Sequence, residues 1–129
     1  VSRATGRRTP CTVADARARL HDAESFLEAA SAITNPDVIA TNAIHAAIAA
    51  ADAICCVSLQ ERSVDGNHTA AIDLLSKVDK SLGTALRRSL DQKNLAAYEA
   101  RDISASEAKS CVRQATTLIT AARARLLLD

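Results

Sequence analysis

Between Asn35-Pro36-Asp37 and Gln60 the sequence holds no residue that breaks a helix, and this stretch constrains the fold more than any other. Asn accepts from the first free backbone N–H groups, Pro at the first helical position forfeits no hydrogen bond, and Asp favours the positive end of the helix dipole. The stripe that follows, Ile44, Ala47, Ile48, Ala51, Cys55 and Leu59, recurs at helical steps. So much alanine lets neighbouring backbones lie close, as expected of a long central helix packed on two sides.

Four more helices are predicted around it. Thr12-Val13-Ala14-Asp15 has the form of a capping box, and Val13, Ala16, Leu20, Ala23, Leu27 and Ala30 carry the first helix to about Ser31. Ser63-Val64-Asp65-Gly66-Asn67 is the clearest loop. A third helix opens near His68 with Ala71, Ile72, Leu75 and Val78 inward. A fourth begins near Ser81, carries Leu82, Leu86 and Leu90, and runs towards Tyr98. Ser104-Ala105-Ser106-Glu107 is a full capping box ahead of Ala108, Val112, Ala115, Ile119, Ala122 and Leu126.

Composition closes off the β alternatives. Three Gly, two Pro, one Phe, one Tyr and no Trp supply neither the turns nor the aromatic strands that a sandwich or barrel needs. At 129 residues the chain has the length of one domain. The expectation is all-α: an up-and-down antiparallel bundle of about five helices over residues 12–129. Residues 1–11, with Arg3, Arg7 and Arg8 beside Gly6, read as a flexible basic tail.

A net charge of +1 gives no global field to recruit nucleic acid or an anionic membrane. No apolar run is read as reaching the ~18–20 residues of a membrane span, and no signal-peptide core follows the basic start. A cytoplasmic protein without membrane contact is expected. Cys11, Cys55, Cys56 and Cys111 form no C-x-x-C pair, which argues against zinc ribbons and thioredoxin-like chemistry. Cys55 and Cys56 point about 100° apart on a helix, so all four are read as reduced thiols. No metal and no cofactor is expected, because no ligand cluster, Gly-rich phosphate loop or nucleophile elbow is present.

The segment Ile44-His45-Ala46-Ala47-Ile48-Ala49-Ala50-Ala51-Asp52-Ala53-Ile54-Cys55-Cys56 resembles the second helix of bacterial HEPN proteins, actinobacterial ones especially. Ser63, Gly66 and His68, followed by Ala71-Ile72-Asp73-Leu74-Leu75, match the loop and helix start that come next in that family. Leu90-Asp91-Gln92-Lys93-Asn94-Leu95-Ala96-Ala97-Tyr98 is similar to its stretch of a basic residue followed five positions later by Tyr. The resemblance spans roughly residues 14–126. It implies a five-helix bundle, often dimeric, linked to RNA or nucleotide transactions and to defence or toxin–antitoxin systems. Ribonuclease members carry an Arg, then a His beside the Tyr. Lys93 stands at the Arg position here and Ala97 at the His position, so no imidazole is available there for proton transfer.

The candidate site residues follow. Lys93 and Tyr98 are the family-like pair. Arg62 and His68 satisfy the Arg-to-His spacing but lie in the connection before the third helix. Asn42, His45, Asp52 and Cys56 fall on one flank of the second helix and suit a polar seam between copies. His45 and Asp52 are separated by roughly 10 Å of helix rise, too far to share one metal. Lys77, Lys80, Arg87, Arg88, Lys93 and Arg101 make the fourth-helix region locally basic, with Arg87, Arg88, Lys93 and Arg101 as phosphate contacts. With so few aromatics for base stacking, RNA binding would be backbone-directed and weak. The expected function is a non-catalytic interaction module, associated with RNA or nucleotides, acting as a homodimer or with a partner such as a nucleotidyltransferase. A metal-independent ribonuclease with a degraded Arg/His motif is the alternative.

Overall fold

The computed structural model describes residues 6–127, without the side chains of 95–98. It is an all-α bundle of five helices, α1 (Val13–Ser31), α2 (Pro36–Leu59), α3 (His68–Val78), α4 (Lys80–Glu99) and α5 (Ala105–Leu127), joined by one small ribbon of β1 (Arg8–Pro10) and β2 (Glu61–Ser63). The helix starts follow from their caps. Thr12 Oγ1 accepts from the Asp15 N–H at 3.1 Å while the Asp15 carboxylate accepts from the Thr12 N–H at 2.8 Å. Asn35 accepts from the Asp37 and Val38 N–H groups, and Asn67 from that of Thr69. Ser104 and Glu107 close the box that opens α5.

α2 is the central element. It packs along both α1 and α5, while α3 and α4 pair with one another and lean on α2. Ala43, Ala46, Ala47, Ala49, Ala50 and Ala53 are fully buried on it, so its bulk comes from Ile44, Ile54 and the two cysteines. Contrary to the expectation that no apolar run reaches the length of a membrane span, α2 is long and apolar enough to cross one; most of that window is packed inside the bundle. Its carboxyl end turns at Gln60, left-handed at φ 58°, where the N–H still donates to the Cys56 carbonyl. At its amino end the Asp37 carboxylate also accepts from the Ile103 N–H at 2.7 Å, tying the α1–α2 turn to the α4–α5 connection.

The fourth helix starts one residue earlier than expected, at Lys80. Asp79 is extended (φ −161°) and its carboxylate accepts from both the N–H and the hydroxyl of Ser81, so a single residue separates α3 from α4. The two helices then come so close that a Cβ on Gly83 would run into the Ser76 side chain. Gly83 is thus the residue that permits the approach.

Two expectations are corrected at the amino end. Residues 6–11 are not a free tail: Arg8 pairs with Ser63, Thr9 with Arg62 and Pro10 with Glu61 in an antiparallel register. The Arg8 guanidinium also meets the Glu61 carboxylate at 3.2 Å. Residues 1–5, with Arg3, lie outside the described residues. Nor are all four cysteines thiols. The ribbon sets Cys11 beside Cys56, with their Cα atoms 5.3 Å apart, and the two form a disulfide. Sequence spacing could not reveal it, because the bond depends on a three-residue strand pairing that no hydrophobic pattern marks.

Candidate functional site

The polar groups converge where α1, α2 and the α2–α3 connection meet. Asp52 is almost covered, and a single oxygen of its carboxylate takes the Nε and Nη2 groups of Arg19 at 3.1 and 3.0 Å. Arg62, from β2, approaches the same oxygen at 3.8 Å. Arg19 also reaches Asp22 at 3.0 Å, one turn along α1. Burial raises the Asp52 carboxyl above the ordinary value, and the two guanidinium groups oppose that shift without cancelling it.

Behind Asp52 lies a cavity of about 20 Å³, shared with Cys55, Ser63 and His68 and closed by Leu74, Leu86 and Leu90. Such a space holds about one water molecule. Burial, with help from the Asp52 charge, pushes the Cys55 thiol up to about 12, so it is protonated and a poor nucleophile at neutral pH. Cys111 is likewise buried, its thiol pushed up to about 11. On the outer side of Arg19 and Arg62 a hollow of about 240 Å³ opens to solvent beside Thr9, Cys11 and Asp15.

The α2 flank singled out from sequence meets α1 and the segment before it at three of its four positions. Phe26 stacks on His45 with ring centroids 5.3 Å apart, Arg19 covers Asp52, and Cys11 is bonded to Cys56. Phe26 and Arg19 are seven residues apart, as are His45 and Asp52, so the two contacts repeat one antiparallel register. Asn42 donates to the Val38 carbonyl of its own helix at 3.0 Å. Asp52 is therefore spent within the chain, while His45 keeps an exposed edge.

Arg62 and His68 both reach the surroundings of Asp52, the first through the long ion pair and the second as a wall of the small cavity. Lys93 lies far along α4 and is exposed, as are Arg87 and Arg88. The Tyr98 side chain lies outside the described ones. Arg101 is not free for phosphate: it holds Glu99 at 2.6 Å and both oxygens of Glu107 at 2.8 Å. Those Arg101 bonds, then the Ser104 N–H, keep the Glu107 carboxyl well below the usual carboxylate range. Gln92 adds a further bond to Glu107 at 2.8 Å.

Sequence reading missed Arg19, the principal partner of Asp52. Its only local signal is the Asp22 three residues on, which reads as an ordinary surface pair. No group of three His, Cys, Asp or Glu residues able to hold a metal occurs among the described residues.

The fold and these contacts define the class as an all-α bundle protein with a partly buried Arg–Asp pair. No family model, no curated protein and no solved structure matches this chain.

Proposed function

We propose that this chain is a non-catalytic, HEPN-like interaction module. It associates with RNA or nucleotides in a defence, stress or toxin–antitoxin setting, and acts as a homodimer or with a protein partner such as a nucleotidyltransferase. One observation carries the non-catalytic half of this reading. The partly buried Asp52 carboxylate and the His68 imidazole line a cavity of about 20 Å³, which cannot admit a nucleotide. A hollow of about 590 Å³ at the α1–α2 turn is lined by neither His nor carboxylate. Acid–base chemistry on a phosphodiester needs both groups within reach of the bond. The RNA half rests on the resemblance and on Arg87, Arg88 and Lys93, which are exposed and form no ion pair among the described residues.

The test is affinity purification of the tagged chain from its own host, followed by mass spectrometry, light scattering and an absorbance ratio for nucleic acid. A stoichiometric partner or a homodimer is expected. An inert monomer carrying neither protein nor RNA would overturn the proposal. A ribonuclease is the second reading, favoured by Arg62, 3.8 Å from Asp52, and by His68, which lines the same small cavity as Asp52. It requires RNA cleavage that His68→Ala and Lys93→Ala abolish, and cleavage unaffected by both variants would end it.

A further inference from the structure

We propose that the hollow between the α1–α2 turn and α5 is a binding site for a small amphiphilic carboxylate, an acyl chain with a free anionic head. This site stands apart from the partner and RNA reading and needs neither.

The hollow measures about 590 Å³, within the ~300–1,000 Å³ usual for small-ligand sites. One wall is a face of α5 made by Ala105, Ala108, Lys109, Val112 and Arg113, positions that return at steps of three and four. It extends about 12 Å along the helix axis, enough to lay down an acyl chain of medium length. The opposite wall is Ile33, Pro36 and Ile39, each half-buried although the bundle core lies a few residues away. Alanine at 105 and 108 is what leaves the space open, since a larger side chain at either place would occupy it.

The charge at this wall has one sign. Lys109 and Arg113 stand one turn apart on α5, both exposed, and neither forms an ion pair among the described residues. No Asp or Glu lines the hollow. An uncharged ligand would leave these cations unused, and a cationic amphiphile would be repelled by them. A carboxylate at the end of an apolar tail satisfies both: the tail lies against Ile33, Ile39 and Val112, and the head meets the two cations.

Isothermal titration of the whole chain with dodecanoate, kept below its micelle concentration, tests this. One-to-one binding is expected. The Lys109→Glu/Arg113→Glu double variant should weaken it at least tenfold, and Ala105→Phe, at an exposed lining position, should abolish it with helical circular dichroism unchanged. Dodecanol and dodecyltrimethylammonium should bind at least tenfold more weakly than dodecanoate. Absence of saturable binding would overturn the proposal, as would equal affinity for all three amphiphiles. Several dodecanoate molecules per chain, indifferent to Ala105→Phe, would be detergent-like adsorption and would also overturn it. Association with phosphatidylglycerol vesicles without one-to-one dodecanoate binding would assign the groove to a membrane surface instead.

Discussion

Arg19 on α1 and Asp52 on α2 are locked side by side, two guanidinium nitrogens lying 3.0 and 3.1 Å from one carboxylate oxygen. Removing the carboxylate leaves Arg19 and Arg62 against a small cavity with one charge fewer. Asp52→Ala should lower stability by about 2–3 kcal/mol, somewhat less than for a fully buried pair because Arg19 keeps water and Asp22. Asp52→Asn preserves the shape, and its deficit should depend on pH. Because burial raises the folded pKa of Asp52, the folded state binds the extra proton between the unfolded value and the raised one. Stability from this group is full below the unfolded pKa and is lost as pH rises through the folded pKa. Wild type should therefore lose stability relative to Asp52→Asn as pH rises from about 3.5. Urea midpoints of both proteins at several pH values check this; wild type gaining on Asp52→Asn as pH rises would refute the assignment.

The Cys11–Cys56 bond closes a span of 45 residues and holds β1, and with it the start of α1, against the end of α2. By loop-closure entropy it stabilises the fold by about 4 kcal/mol. Cys11→Ser/Cys56→Ser should lose most of that, seen as a fall in the urea midpoint, and reductant should bring wild type to the same level. Thiol titration of the unreduced chain in denaturant should find only Cys55 and Cys111. Reaction of all four would show that the bond is absent in the isolated protein.

Local signals made α2 and α5 legible: Asn35-Pro36 opens one at the predicted place, and Ser104 with Glu107 opens the other. Such signals act within three or four residues, where backbone geometry fixes who meets whom. The contacts that the sequence hid are those between elements. Arg19 meets Asp52 only once the α1–α2 register is set, and Cys11 meets Cys56 only once a three-residue strand has paired. Arg101 shows the limit on a smaller scale. Its partner Glu107 lies six residues on, across a turn, where helical periodicity carries no information. The candidate site was thus half visible. Asp52, Arg62 and His68 are legible as candidates and Leu86 and Leu90 as inward residues of the fourth helix, but not Arg19 as the principal partner of the carboxylate, nor that these groups meet around one cavity.

Gly83 and Ser76 set the spacing of α3 and α4. A methyl group on Gly83 would overlap the Ser76 Oγ and sit 3.0 Å from its Cβ, with Gly83 itself buried. Alanine is the better helix former, so propensity alone predicts that Gly83→Ala stabilises by about 1 kcal/mol. Packing reverses the sign. Forcing the helices apart should cost about 1–3 kcal/mol net. Ser76→Gly in the same chain should recover most of the loss, and a double-mutant cycle from denaturation curves measures that coupling. Additive effects would mean that the helices adjust freely at this crossing.

Arg87, Arg88 and Lys93 should be separable from Arg101 in any RNA complex this chain forms. The first three are exposed and unpaired among the described residues, whereas Arg101 is held by Glu99 and Glu107. For single-stranded RNA each phosphate contact contributes about 0.7 to the slope of log affinity against log salt. Changing Arg87, Arg88 and Lys93 together to Ala should flatten that slope by about 2 and leave stability within about 0.5 kcal/mol. Arg101→Ala should do the reverse. The salt slope should hold, while the thermal midpoint falls and the acid limb of the stability curve flattens. Arg101 is the first cause of the lowered Glu107 pKa, and that stability is present above the ordinary glutamate value and lost as pH falls. Salt titrations by fluorescence anisotropy with melting curves at pH 4 and 7 distinguish the two roles. An unchanged slope in the triple variant would remove the basic face of α4 from the proposed function.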